Sequence, residues 1–419
     1  MYVEDFDVRK ILNSRKEETI AVRIKTKDGT FETSAPSGKS RGKNEVFPFS
    51  SKGVETSLQF ARAICFKIVK ERISFETFQD LEKIEEIIKR LDNTTRFELV
   101  GGNVVYTIEA SILKAIAASQ KKELWEFLLE ENKPKLPFPI GNCIGGGKHT
   151  NEKPKPDFQE FLVIPILQFN EAYFVNLQAY KEAKRLLLEK DKFFCGKTND
   201  ERAFVTSLAN EKVLELMLEI KKRISEKFGR NIEIGVDVAA TFLYEKKYNY
   251  STSVFLNKKN LSEEEQINYI CDLVEKYDLF YVEDPLHEED FDGFSELMKK
   301  IKKISRKTLI VADDLVCTNY HRLEKAIKKK SINALILKPN QRGSLLEMKK
   351  TLDLAKKNGI VTIISHRSGE TYDSTIAHLA VGWQIPFIKA GILGKERFAK
   401  LHELLRIERK IFSSREKIY

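Results

Sequence analysis

Asp278-Leu279-Phe280-Tyr281-Val282-Glu283 and Thr308-Leu309-Ile310-Val311-Ala312-Asp313 are short apolar runs, each closed by an acid. Runs of this length, separated by segments of helical periodicity, predict parallel strands joined by helical crossovers. The same unit recurs at 161–166, 232–236, 333–337, 360–364 and 386–388. One connecting helix is legible from Ile267, Ile270, Cys271 and Val274, whose spacing puts them on a single stripe. Gly359 is placed to end another.

What closes each run says more than the runs themselves. Asp237, Glu283, Asp313, Lys338, His366 and Lys389 stand at successive C-terminal edges, with gaps of 46, 30, 25, 28 and 23 residues. A (β/α)8 barrel allots about 31 residues to each unit. The one long gap is accounted for by an insertion at 244–261, rich in Tyr, Lys, Asn and Ser. Barrel active sites lie at this strand edge, so three acids and three cationic groups should converge on one point. A single acid after an apolar run is commonly just where a strand meets water; six such groups in succession need another reason.

Residues 1–130 read as an α+β cap, with a hairpin at Lys27-Asp28-Gly29 and a helical segment at 78–91, and residues 131–419 as the barrel. Between them, 131–158 is dense in Pro and Gly (Pro134, Pro137, Pro139, Gly145-Gly146-Gly147, Pro154, Pro156) and reads as a loop leading into the second domain. The fold class expected is therefore α/β, an N-terminal α+β cap domain followed by a TIM-like (β/α)8 barrel.

The bulk properties exclude several classes. No apolar run approaches membrane-spanning length, and the first ten residues carry Glu4, Asp5 and Asp7 instead of the apolar core of a signal peptide. A cytoplasmic protein is expected. The five cysteines (Cys65, Cys143, Cys195, Cys271, Cys317) are odd in number and never in C-x-x-C spacing, which argues against a disulfide framework and a zinc site. The formal charge of +10 raises the question of nucleic acid. Its lysines are spread through amphipathic segments, such as Lys328 to Lys330 and Lys356-Lys357, as on solvated helix faces, so neither nucleic acid nor membrane is expected as a partner.

Three carboxylates without nearby His or Cys ligands favour a hard, oxygen-loving cation, so Mg²⁺ is expected ahead of zinc. An ammonium beside a dication and another lysine tends to lose its proton, which would make Lys338 a base.

Ser365-His366-Arg367-Ser368-Gly369-Glu370-Thr371 resembles the S-H-R-S-G-E-T motif of the enolases, and Pro36-Ser37-Gly38-Lys39-Ser40-Arg41-Gly42 their mobile P-S-G-x-S-x-G loop. Gly146-Gly147-Lys148-His149, Gln159-Glu160-Phe161, Asp237-Val238-Ala239-Ala240, Glu283-Asp284-Pro285-Leu286, Asp313-Asp314-Leu315 and Leu337-Lys338-Pro339-Asn340-Gln341 are similar to further family segments, in the family's order. The resemblance runs from about Ile11 to Glu408 and implies an enolase-type barrel in a divergent, archaeal-type member. The activity it implies is Mg²⁺-dependent, reversible dehydration of 2-phosphoglycerate to phosphoenolpyruvate, a step of glycolysis and gluconeogenesis.

By the same resemblance, Asp237, Glu283 and Asp313 match the ligands of one Mg²⁺. Ser40 matches the loop serine that reaches a second ion when substrate is bound. Lys338 matches the base that removes the C2 proton, Glu201 the acid that assists the departing C3 hydroxyl, and Glu160 its paired carboxylate. His149 and His366 match polar residues around the leaving group. Gln159, Arg367, Ser368 and Lys389 match substrate contacts, with Arg367 and Ser368 on the phosphate and Lys389 on the carboxylate. A homodimer or higher homo-oligomer is implied as well.

The chain departs from the family pattern at several points. Arg202 and Ala203 follow Glu201 where two glycines are usual, Lys39 and Arg41 replace alanine and threonine in the mobile loop, Ala390-Gly391-Ile392-Leu393 replaces T-G-A-P, and Arg15-Lys16 replaces an arginine-glycine pair. Two other readings stay open on the sequence: a paralogue acting on a different phosphorylated hydroxy acid, and a non-catalytic protein binding through its basic surface.

Overall fold

A computed structural model describes residues 1–39, 41–130, 133–252 and 260–416. Strands β1 (Asp5–Leu12), β2 (Glu18–Thr26) and β3 (Gly29–Ser34) form an antiparallel sheet in that order, joined at Lys27-Asp28 as the hairpin signal predicts. The helix Gly102–Ser119 packs on this sheet and is buried along most of its length. Its Glu109 is fully buried and accepts the backbone N–H of Leu345 at 2.6 Å, one of the polar ties between cap and barrel. Burial pushes its carboxyl well above the ordinary range, so it is held neutral.

Eight strands make the barrel: β4 (Phe138–Gly145), β5 (Glu160–Pro165), β7 (Ile232–Asp237), β10 (Tyr281–Glu283), β11 (Leu309–Ala312), β12 (Ala334–Leu337), β13 (Val361–Ser365) and β14 (Phe387–Lys389). A two-residue β6 (Phe204–Val205) extends the sheet beside β4. In the insertion, β8 (Tyr248–Asn249) pairs with β9 (Asn260–Leu261). Pairing of β14 with β4 closes the barrel.

Neighbouring residues of one strand go to different cores. Leu162, Tyr281, Val311, Ile336, Ile363 and Phe387 meet in one cluster drawn from strands all round the ring, which is the barrel interior. Val163, Val282, Ile310, Leu335 and Ile364 join the larger cluster that contains the helices. This period of two is what a sheet covered on both faces requires.

Two expectations are corrected. The stretch 131–158 is not all loop, since β4 lies inside it; Pro139 is tolerated at the strand's start, where parallel pairing to β14 begins. Nor are all the strands parallel: β5 runs antiparallel to both β4 and β7. This reversal brings the first residue of β5, Glu160, into register with Asp237, the last residue of β7. An apolar run carries no sign of its direction, so its sequence could not show this. The helix predicted from Ile267, Ile270, Cys271 and Val274 forms over Glu263–Tyr277 with all four buried. Gly359 follows the helix Leu345–Lys357 with φ +67°. Trp125 and Trp383 are buried.

Candidate active site

Every predicted site residue among those described lines one pocket of about 40 Å³ at the C-terminal edges of the barrel strands. Asp237, Glu283 and Lys389 are the last residues of β7, β10 and β14; Asp313, Lys338 and His366 directly follow β11, β12 and β13. Glu160 comes from the reversed β5. Gln159, His149, Glu201, Arg367 and Ser368 arrive on loops. Ser40 lies outside the described residues.

The three acids are held from behind. Asp237 accepts from the Ala239 N–H (3.0 Å) and from Gln159 Nε2 (3.2 Å). Glu283 accepts from the Tyr281 hydroxyl at 2.6 Å, and Asp313 from Gln341 Nε2 at 3.0 Å. Two ammonium groups sit among them. Lys389 Nζ lies 2.7 Å from Glu283, 2.9 Å from Glu160 and 3.4 Å from Asp237, and Lys338 is bonded to Asp313. Burial pushes the Glu283 carboxyl up to about 7, with Asp237 adding to the effect and Lys389 opposing it.

These donors suit a divalent cation: hard carboxylate oxygens, buried, oriented by the chain, and crowded enough that Glu283 gives up its proton late. The oxygens of the three acids do not form one tight group. Asp313 instead shares a cluster with Asp284 and Asp314, whose ligand atoms lie within 4.8 Å of one another. Both carboxylate oxygens of Asp284 are taken by the N–H groups of residues 313 and 314, so Asp284 shapes this turn.

Two opposing effects act on the ammonium of Lys338. Burial works against its charge, but the Asp313 and Glu283 carboxylates together outweigh that and push the ammonium up to about 12. Lysine burial lowers a pKa only where no anion touches the ammonium.

On the opposite wall, His149 Nδ1 lies 3.5 Å from Glu160 and 3.8 Å from Glu201, and His366 Nε2 lies 3.6 Å from Glu201. Burial lowers both histidines, and the Glu201 carboxylate works against it. The two carboxyls are driven apart. Burial and the neighbouring Glu201 push Glu160 well above the ordinary range, while for Glu201 the surrounding His149, His366, Arg397 and Lys389 outweigh burial and hold it low. His149 Nδ1, His366 Nδ1 and Gln159 Oε1 are buried without a hydrogen-bond partner among the described residues, an arrangement that favours a polar ligand.

The turn carrying Glu201 is built by Asn199, whose Oδ1 accepts from the N–H groups of Glu201 (2.9 Å) and Ala203 (3.0 Å). Arg202 takes φ +66°, the left-handed conformation a glycine would supply. Residues 37–39 dock on the 365–371 segment: Ser37 and Gly369 exchange backbone hydrogen bonds (2.7 and 2.8 Å), and the Lys39 N–H donates to Ser368 Oγ at 2.7 Å. A Cβ on Gly369 would lie 2.6 Å from Ser37 Oγ. The Lys39 ammonium lies 3.6 Å from Asp200, and Arg15 reaches the same carboxylate at 3.6 Å.

Residues 3–128 match the family described as enolase, N-terminal domain, and residues 133–417 that described as enolase, C-terminal TIM barrel domain. The chain belongs to the enolase family. It is 40% identical to the enolase of Methanosphaera stadtmanae over 416 residues, covering 98% of each chain. The enolase of Methanothermobacter thermautotrophicus is 38% identical over 420 residues, covering 99% of this chain and 98% of that one. The enolase of Archaeoglobus fulgidus is 36% identical over 414 residues, 97% of each. These archaeal relatives accord with a divergent, archaeal-type enolase. Enolase side chains that the sequence did not single out include Tyr281, Asn142, whose Nδ2 donates to Glu201 at 3.1 Å, and Glu45, which holds Arg367.

Proposed function

We propose that this enolase catalyses the reversible dehydration of 2-phosphoglycerate to phosphoenolpyruvate. The observation that carries the reading is the one pocket that gathers a buried lysine, the buried Glu160 and Glu201 carboxyls and three acids at the barrel's strand edges. Asp237, Glu283 and Asp313 would hold Mg²⁺, and the bound cation supplies positive charge where the substrate carboxylate becomes doubly negative. A second ion with Ser40 as ligand belongs to the same proposal.

Lys338 takes the C2 proton, which it can do once Asp313 is engaged elsewhere and its hold on the ammonium is relieved. Lys389 stabilises the developing charge on the carboxylate. The Glu160–Glu201 pair supplies the proton to the departing C3 hydroxyl, with His149 and His366 around it. Arg367 and Ser368 orient the phosphate, and Gln159 contributes to the substrate wall. Docking of loop 37–42 excludes water while charge is developed.

The left-handed Arg202 backbone supports this reading over that of a paralogue, because the loop keeps the conformation the usual glycine allows. We place the cap and barrel boundary at 130/131, between the two family matches, and propose a homodimer or larger assembly on the family resemblance. A cytoplasmic location is supported by five free cysteines; among the described residues no helix is long and apolar enough to cross a membrane. The test is phosphoenolpyruvate formation from 2-phosphoglycerate with Mg²⁺ or with chelator. Turnover that ignores chelator refutes the reading.

A further inference from the structure

Arg367 faces the pocket on one side and is gripped on the other. Its Nη1 donates to Glu45 Oε2 (3.0 Å) and Asn340 Oδ1 (3.2 Å), and its Nη2 to both Glu45 oxygens at 3.0 Å. Arg367 and Glu45 are each about 5% exposed, and neither Glu45 nor Asn340 is among the pocket-lining residues. Glu45 therefore stands behind the guanidinium, away from the space a substrate would enter.

The same carboxylate reaches two further parts of the site. Its Oε1 accepts from the Gly42 N–H (3.0 Å) and from Gln341 Nε2 (3.4 Å), whose amide also holds Asp313. The backbone of Glu45 is fixed in turn by Arg96, which donates to its carbonyl at 2.7 and 3.0 Å. One buried group thus connects Gly42, the guanidinium and, through Gln341, an acid of the metal-binding set.

We propose that Glu45 is a positioning residue that aims Arg367 at the substrate phosphate. This rests on the function proposed above. A planar fork binds a phosphate well only in a fixed plane, and a bidentate carboxylate on its far edge fixes that plane. The phosphate is not altered by loss of the C2 proton or the C3 hydroxyl. Its contacts are the same in ground and transition states, so a misaimed Arg367 raises KM and leaves kcat largely unchanged.

The test compares Glu45→Gln and Glu45→Ala with the unaltered enzyme by steady-state turnover of 2-phosphoglycerate and by calorimetric binding of inorganic phosphate. For Glu45→Ala the expectation is a rise of about 10- to 100-fold in KM and in the phosphate Kd, with kcat within about 3-fold. Glu45→Gln keeps an acceptor for the Gly42 N–H and the shape of the side chain but loses the charge pair, so it falls between. Unchanged KM and phosphate affinity in Glu45→Gln, whether or not Glu45→Ala folds, overturns the proposal. A fall in KM also overturns it, by making Glu45 a competitor of the phosphate. If the unaltered enzyme binds phosphate but does not turn over 2-phosphoglycerate, the reading of function fails while the phosphate arm still tests Glu45.

Discussion

Metal binding to this site should depend on pH in a direction set by Glu283. Its carboxyl is buried beside Asp237 and pushed up to about 7, whereas an ordinary glutamate titrates near 4.3. A ligand oxygen must be deprotonated to hold Mg²⁺. Above pH 7 the group is already ionised and affinity is flat; below it each unit costs about 1.4 kcal/mol, a tenfold loss. At pH 6 the Mg²⁺ Kd should therefore be about ten times that at pH 8, with about one proton released per ion bound at the lower pH. The sign for folding is the opposite. A carboxyl raised above its unfolded value adds stability below that value and loses it as pH rises through about 7, so the metal-free chain should lose part of its stability across this window, and Mg²⁺ should restore it. Calorimetry in two buffers of different ionisation enthalpy measures both affinity and proton release. A Kd that does not change between pH 6 and 8, with no proton released, refutes the reasoning.

Three further outcomes follow from the geometry. Lys389→Met leaves Glu160, Glu283 and Asp237 without their shared cation; it should destabilise the metal-free protein by about 3 kcal/mol in urea unfolding, partly recovered by Mg²⁺. Arg202→Gly relieves a left-handed residue at a cost of about 1 kcal/mol but makes the unfolded chain more flexible by a similar amount, so the urea midpoint should move little. Arg202→Val, branched at Cβ, should destabilise clearly. Gly369→Ala places a Cβ against Ser37 and Asn13 (2.6 and 2.7 Å); protease cleavage within loop 37–42 should become faster and kcat/KM should fall at least tenfold.

Most of the barrel was legible because its strands end in groups that do not belong there by solubility alone. Asp237, Glu283, Asp313, Lys338, His366 and Lys389 mark six strand ends by position, and the structure finds each at or one residue beyond its strand's last residue. β4 was hidden because Pro137, Pro139 and three glycines are loop signals; those glycines lie at and beyond its end, where Gly146 passes so close to the 156–158 backbone that a Cβ would meet Phe158 O at 2.5 Å. The direction of β5 was hidden because alternation is the same read either way. Glu45 was hidden for a different reason. Its contact with Arg367 spans 322 residues of sequence, and a charge whose partner is that distant carries no local pattern. Lys39 and Arg41 show the converse: a change from a familiar motif is visible at once, but only coordinates show that Lys39 lies beside Asp200.

The most direct measurement of the central claim is exchange of the C2 hydrogen of 2-phosphoglycerate with solvent deuterium, followed by NMR in the unaltered enzyme and in Lys338→Ala. Mg²⁺-dependent exchange in the former, reduced by at least a thousandfold in the latter, is the result predicted. Exchange that persists at a comparable rate without Lys338 would contradict the account.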